Sequence, residues 1–252
     1  MTGALRCSGI QKAYGGVRVL HGIDLAIAPG EILGLVGANG AGKTTLIDII
    51  GGQQRADRGE VVLGGTRLTD SPSARARRGM ARTFQRPQVA LELSIRENVA
   101  IGLAARELTS LGRIVTEAWR GILSSRVAQA AEVDDACARL ALTGLDRPAE
   151  EITFGEMRLV EVARALMQRP KLVILDEPFS GVGDAGVAGI TRALQAIRDQ
   201  GCAVLLVDHN VDLLTSLVDR MALLAQGEIV IDSDVATCLA SERFRSTYIG
   251  VA

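Results

Sequence analysis

The chain of 252 residues is 48% hydrophobic and 23% charged, which suffices for a sizeable buried core and excludes a disordered tail or a disulfide-stapled mini-protein. Its 28 basic and 29 acidic residues leave a formal net charge of -1. That balance excludes a globally basic nucleic-acid binder or a polybasic membrane anchor, and confines any such contact to a local patch. Glycine is frequent at 28 residues whereas aromatics make up 3%, so sites built from backbone are expected before stacking platforms. Cys7, Cys137, Cys202 and Cys238 form no C-x-x-C pair and read as reduced thiols without a zinc or redox role. No stretch reaches the roughly 18 apolar residues of a membrane span, and residues 1–14 lack the apolar run of a secretory signal, so a cytoplasmic location is expected.

In chain order, residues 23–27 alternate with period two and residues 32–36 are a compact apolar run, as in two strands that end at glycine-rich turns. Residues 43–50 put Leu46, Ile49 and Ile50 at helical spacing, with Gly51 and Gly52 as the stop. Between about 94 and 169 the pattern is helical, and Ser94-Ile95-Arg96-Glu97 and Thr153-Phe154-Gly155-Glu156 both match a capping box. Residues 172–175 then read as a buried strand, 184–199 as a helix, 203–207 as a strand and 211–218 as a helix. This alternation predicts a parallel sheet with crossover helices. Residues 221–224 and 228–231, joined by Ala225-Gln226-Gly227, read as a closing hairpin ahead of a short helical tail.

Gly37-Ala38-Asn39-Gly40-Ala41-Gly42-Lys43-Thr44 satisfies G-x-x-x-x-G-K-[ST] between an apolar run and a helix, the context that confirms a phosphate loop. Glycines let consecutive N–H groups turn towards phosphate oxygens, and the helix N-terminus adds its positive dipole end. Lys43 would neutralise the β- and γ-phosphates, and Thr44 would offer its hydroxyl to Mg²⁺. Gly37, Asn39, Gly40, Ala41, Gly42, Lys43, Thr44 and Thr45 are therefore the candidate nucleotide-binding residues. The apolar segment 172–175 ends in Asp176-Glu177, which delivers two acids to the C-terminal edge of a sheet. Asp176 is suited to hold Mg²⁺ through water, which leaves Glu177 as general base on an attacking water. His209 follows the apolar segment 204–207 by two residues and could donate to a γ-phosphate; His21 is given no role. Together these residues describe a nucleoside-triphosphate hydrolase.

With those residues in place, nearly the whole sequence resembles the nucleotide-binding subunit of an ATP-binding cassette (ABC) transporter. Four further segments in the family's order carry the resemblance. Tyr14 resembles the aromatic that stacks on adenine. Gln85, in Ala81-Arg82-Thr83-Phe84-Gln85, resembles the glutamine that touches Mg²⁺ and the attacking water and senses the membrane subunit. Thr153-Phe154-Gly155-Glu156-Met157-Arg158 stands where the signature loop belongs, with Thr153 and Gly155 as its candidate nucleotide contacts. Residues 180–184 occupy the place of the loop that links the two sites of a dimer. Within the family, Glu97-Asn98-Val99, the helical insert at 106–133, the aromatic before the signature glycine and Tyr248-Ile249-Gly250 resemble the ATPases of branched-chain amino-acid importers.

The resemblance implies an α/β P-loop NTPase fold, with a RecA-like core and an antiparallel β subdomain over 1–89 and 160–252 and a helical subdomain over 90–159. It implies ATP and Mg²⁺ as cofactors, and ATP hydrolysis that powers uptake of a small polar solute such as a branched-chain amino acid, amide or organic acid. Its implied partners are a second ABC ATPase subunit, transmembrane permease subunits and, indirectly, an extracytoplasmic solute-binding protein, with no nucleic acid. The chain would then sit on the inner face of the plasma membrane.

Two departures from the family pattern matter. Members usually carry Leu-Ser-Gly-Gly-Gln at the signature, whereas Ile152-Thr153-Phe154-Gly155-Glu156 puts a carboxylate near a phosphate site, where like charge is expected to weaken ATP clamping. Gly183 stands where the linking loop usually has Asp or Asn, with Asp184 one residue later. In the family each ATP lies between one subunit's phosphate loop and the other's signature, so these departures point to a heterodimer with unequal sites rather than a homodimer. The alternative is an ATP-binding subunit that acts mainly as a structural or regulatory partner. Arg75, Arg77, Arg78, Arg82 and Arg86 form one basic run, either a solvated helix face or a contact for headgroups or a membrane subunit. Trp119 reads as packing in the helical lobe, or as an interface marker.

Overall fold

The structure, a computed structural model, describes residues 3–69, 71–108 and 122–248. Trp119, part of the helical insert, Ile249 and Gly250 lie outside the described residues. The chain divides into two compact units: Met1–Met80 with Lys171–Glu177 and Ile197–Ala252, and Ala81–Pro170 with Pro178–Ala196. In chain order the first unit begins with β1 (Leu5–Tyr14), β2 (Val17–Ile27), β3 (Ile32–Val36), α1 (Lys43–Gly51), β4 (Arg58–Leu63), β5 (Thr66–Arg67) and α2 (Pro72–Arg77). Strand β6 (Met80–Arg82) leads into α3 (Ile95–Leu108), α4 (Ile122–Arg139) and α5 (Phe154–Met167) of the second unit. After β7 (Leu172–Asp176) come α6 (Asp184–Asp199), β8 (Ala203–Val207), α7 (Val211–Thr215), β9 (Arg220–Ala225), β10 (Glu228–Asp234), α8 (Val235–Ala240) and α9 (Glu242–Tyr248).

One sheet of the first unit is antiparallel, in the order β2-β1-β4-β5. Its register places Leu5 opposite Ile27 and Cys7 opposite both Leu25 and Val61. Ile23, Leu25 and Ile27 are buried while Asp24 and Ala26 are exposed, the period of two read from the sequence. The other sheet has the order β10-β9-β3-β8-β7-β6, with β9, β3, β8 and β7 mutually parallel and β10 antiparallel to β9. Strands β3, β7 and β8 are buried along their full length, which is why they appear as unbroken apolar runs rather than alternating ones. Leu35, Leu46, Ile47, Ile50, Ile174 and Leu205 fill the core that joins α1 to this sheet.

Helix α7 stops at Thr215, short of the expected Val218. Asp219 explains the early exit: its N–H donates to Ile32 O at 2.9 Å and its carboxylate accepts from Ile32 N at 2.8 Å, which draws the chain into the ladder beside β3. The basic run is also corrected at Arg75, which is neither solvated nor free to meet headgroups. It is buried, and its guanidinium donates to Ile49 O at 2.6 Å and Ile50 O at 2.5 Å. Helix α1 has no basic residue in its own last turn, so α2 supplies the cation that its C-terminal carbonyls favour. Arg77, Arg78 and Arg86 are exposed, and Arg82 is half-buried with its guanidinium 5.1 Å from the Phe84 ring centroid.

In the second unit α3 and α4 pack against each other and against α5, and they bury Val99, Leu103, Val133, Cys137, Val160 and Ala163. Both expected capping boxes form. Ser94 and Glu97 exchange bonds ahead of α3, and Thr153 and Glu156 do so at α5. Among the described residues no helix is long and apolar enough to cross a membrane, and all four cysteines are buried free thiols.

Candidate functional site

Residues 37–42 connect the buried end of β3 to α1 and leave Ala38, Asn39 and Gly40 exposed. Gly42 is the N-cap of α1 with φ 108°, a left-handed backbone, and a Cβ there would lie 2.8 Å from Leu20 Cδ2. No side chain caps α1 at this end, so its first N–H groups are presented by the loop itself. Lys43 folds back over the loop and donates to Gly37 O at 2.5 Å and Ala38 O at 3.1 Å. Burial lowers its pKa, and the carboxylates of Glu177 and Asp176 oppose that effect, so the three charges share one neighbourhood. Thr44 is exposed beside Lys43, and Thr45 is half-buried.

Pairing of Asp176 with Val207 aligns the ends of β7 and β8. Asp176 is almost fully buried at its strand end. Glu177 turns away with φ 49°, held by its N–H donating to Val207 O at 2.8 Å. A non-glycine residue in this left-handed region costs of order 1 kcal/mol, and such strain clusters where a side chain must be aimed. His209 Nδ1 lies 3.8 Å from Glu177 Oε1 and 3.7 Å from Asp208 Oδ1, with its ring largely in solvent.

Asp208 is a residue to which the sequence analysis gave no role. It is 2% exposed; Oδ1 accepts from Asn210 N at 2.9 Å, and Oδ2 has no hydrogen-bond partner among the described residues. Burial raises its pKa, with the Glu177 charge adding to that rise. The available signal was an acid set directly between an apolar strand and His209.

Tyr14 closes β1 and is half-exposed. Its hydroxyl donates to Gln54 Oε1, and Lys12 Nζ lies 5.4 Å from its ring centroid while pairing with Asp57 at 2.9 Å.

The second unit carries the remaining candidates. Gln85 is exposed on the loop after β6, and its carbonyl accepts from Arg158 Nη2 at 2.6 Å. Thr153 is the N-cap of α5, and its hydroxyl bonds Glu156. At Gly155 a Cβ would fall 2.2 Å from Gly181 O, so the signature turn and the linking loop meet backbone to backbone. The Glu156 carboxylate, expected near a phosphate, accepts from Thr153 N at 2.9 Å and pairs with Arg147 at 2.7 Å. The Thr153 N–H first, then Arg147 and the Thr153 hydroxyl, hold its pKa below the usual glutamate range. Asp184 begins α6, and Gly183 O accepts from Val187 N at 3.0 Å.

A glycine loop, a lysine, two acids and a histidine gathered at one sheet edge define a nucleotide-hydrolysing class of protein. A family model described as ABC transporter matches residues 20–180. The chain belongs to this family: it is an ABC transporter ATP-binding subunit and an ATPase, with the α/β P-loop NTPase fold expected from its motifs. It is 30% identical over 252 residues to the probable branched-chain amino acid transport ATP-binding protein LivG of Methanocaldococcus jannaschii, covering 98% of this chain and 97% of that one. It is 32% identical over 247 residues to the lipopolysaccharide export system ATP-binding protein LptB of Escherichia coli K12, again covering 98% and 97%. A crystal structure of the ADP conformation of an ATP-binding cassette of an ABC transporter aligns over 100% of both chains, with a TM-score of 0.80 and 28% identity.

Proposed function

We propose that this chain powers solute uptake by hydrolysing ATP at a site built on Lys43, Asp176, Glu177 and His209. The observation that carries the hydrolytic part is the convergence of these groups at the ends of β3, β7 and β8. The backbone of Gly37, Asn39, Gly40, Ala41 and Gly42 receives the phosphates with Thr45 at the loop's end, and Lys43 exchanges its two carbonyl partners for phosphate oxygens. The Thr44 hydroxyl and the Asp176 carboxylate are hard oxygen donors at neighbouring strand and helix ends. Hard oxygen donors of this kind suit Mg²⁺ held jointly with a phosphate. Bound there, Mg²⁺ supplies charge neutralisation of the phosphate oxygens. Glu177 orients and deprotonates the attacking water, and His209 donates to the γ-phosphate. Tyr14 stacks on adenine, and Gln85 adds a contact to the metal and water.

The partner is a second cassette whose nucleotide meets Thr153 and Gly155 of this chain, and permease subunits hold the pair on the membrane's inner face. A solute-binding protein outside the membrane would deliver the cargo, a branched-chain amino acid or a similar small polar solute. Pairing of Glu156 with Arg147 removes part of the repulsion expected at the signature. The irregular loop still supports a heterodimer, with a structural or regulatory role for this chain as the alternative. Uptake is supported by LivG, matched end to end; LptB, equally matched, supports export as a second reading.

Glu177→Gln is the test. Wild type should hydrolyse ATP with Mg²⁺, and the variant should instead elute as an ATP-stabilised dimer. A chain that binds ATP yet stays monomeric and inactive favours the partner-subunit alternative. Reconstitution with its permease subunits in vesicles then decides direction: ATP supplied to this chain's side should drive solute away from the opposite face towards it, and movement the other way overturns uptake.

A further inference from the structure

Helix α5 carries an ion pair that the phosphate chemistry does not use. Arg158 and Glu161 have side chains 1% exposed, with Arg158 Nη1 3.2 Å from Glu161 Oε2. Both guanidinium Nη atoms of Arg158 and Oε1 of Glu161 reach the main chain of the loop 84–88, whereas Arg158 Nε has no hydrogen-bond partner among the described residues. Arg158 Nη1 donates to Phe84 O and Nη2 donates to Gln85 O at 2.6 Å. Glu161 Oε1 accepts from Phe84 N at 3.1 Å and Gln88 N at 3.3 Å. One turn later Arg164 donates to Gln88 O. Phe84 is thus held at both its N–H and its carbonyl, and Gln85 at its carbonyl, by one helix that lies more than seventy residues away in sequence. The Arg158 guanidinium also lies 5.5 Å from the ring centroid of Phe154, in the signature turn.

A buried ion pair is weak support for stability, because an apolar pair of similar volume often serves as well. Its particular capacity here is geometric: a planar guanidinium can hold two carbonyls and a carboxylate at once. We propose that Arg158 and Glu161 are positioning residues for Gln85, fixing its backbone from the signature helix so that the Gln85 side chain is presented from a preset point. The proposal rests on the reading of Gln85 as a contact to Mg²⁺ and water. Since Arg158 also touches Phe154, a displacement of the signature turn is passed to Gln85 through one side chain.

The test uses Arg158→Met/Glu161→Leu, which keeps volume and removes the clamp, beside Arg158→Lys, which keeps the charge but loses the two-carbonyl fork. Hydrogen exchange at the Phe84 and Gln88 amides should quicken about tenfold in the double variant, with the 172–176 and 203–207 strands unchanged. The Mg²⁺ concentration for half-maximal hydrolysis should rise about tenfold while affinity for a fluorescent ATP analogue stays fixed. Arg158→Lys should move both readouts in the same direction and decides the matter if the double variant does not fold. In a Gln85→Ala background the clamp variants should add nothing further to the Mg²⁺ requirement. Unchanged exchange at 84 and 88, or shifts that add in full to those of Gln85→Ala, overturn the proposal. If Gln85→Ala alone leaves the Mg²⁺ requirement unchanged, the metal reading of Gln85 fails and the positioning role falls with it. Faster exchange at 84 and 88 would then show a clamp that is only structural.

Discussion

His209 Nδ1 stands 3.8 Å from Glu177 Oε1 although the two residues leave different strands. The parallel register of β7 and β8, with Asp176 beside Val207, produces this meeting, and the left-handed turn at Glu177 completes it. Removing the carboxylate's basicity while keeping its shape should separate binding from chemistry. Glu177→Gln is expected to lower kcat by about 100-fold or more with ATP affinity retained, and His209→Ala to lower it by a similar order. The double variant should fall little below the worse single one, because the pair acts as a unit. Single-turnover rates and equilibrium ATP binding measure both quantities, and fully multiplicative losses would show that the two residues act separately.

The elements legible in the sequence are those whose cause is local. Strands β3, β7 and β8 are unbroken apolar runs because both faces are covered, and the two capping boxes carry their partner three residues away. The places of Lys43, Asp176, Glu177 and His209 were legible because each stands just beyond an apolar run or a glycine loop, and the structure sets Lys43 at the start of α1 and the other three at or just past the ends of β7 and β8. Arg75 was not, since its partners are backbone carbonyls of α1, which leave no mark on side-chain identity. Arg158 and Glu161 were hidden for a related reason: an Arg–Glu pair three apart on a helix reads as a surface pair, and only tertiary packing buries it. Asp208 stood in plain view, but nothing in the spacing distinguishes a solvated strand-end acid from one that is 2% exposed.

Arg75 gives a stability prediction remote from the chemistry. Arg75→Met keeps most of the buried volume and strips Ile49 O and Ile50 O of a charged donor, a loss worth about 1.5–3 kcal/mol. The urea midpoint should fall accordingly, while kcat in the absence of denaturant stays near wild type because residues 37–42 lie at the opposite end of α1 from Arg75. An unchanged midpoint would mean that water replaces the guanidinium without cost.

Gly155 tests how tightly the signature turn is packed. A methyl group at this position would stand 2.2 Å from Gly181 O, and a backbone oxygen cannot swing aside as a side chain can. Gly155→Ala should therefore force the first turn of α5 from the linking loop and cost about 1–3 kcal/mol. Limited proteolysis at residues 180–183 should quicken in parallel. Wild-type stability and cleavage would show that the two segments do not keep this approach in solution.

Glu156 makes a prediction about acid. Its folded pKa lies below the ordinary value of 4.5, chiefly through the Thr153 N–H and then Arg147. A depressed carboxylate stabilises the fold above its unfolded pKa, and that contribution is lost as pH falls through the lower folded value. Glu156→Gln keeps the capping geometry but removes the charge at the helix N-terminus, so at pH 7 it should be less stable by about 0.5–1 kcal/mol. The gap between variant and wild type should be full at neutral pH, begin to close as pH drops below 4.5, and vanish at lower pH. Denaturant unfolding of both proteins across this range measures it. A gap that persists undiminished in acid would show that the carboxylate's charge is not what stabilises the start of α5.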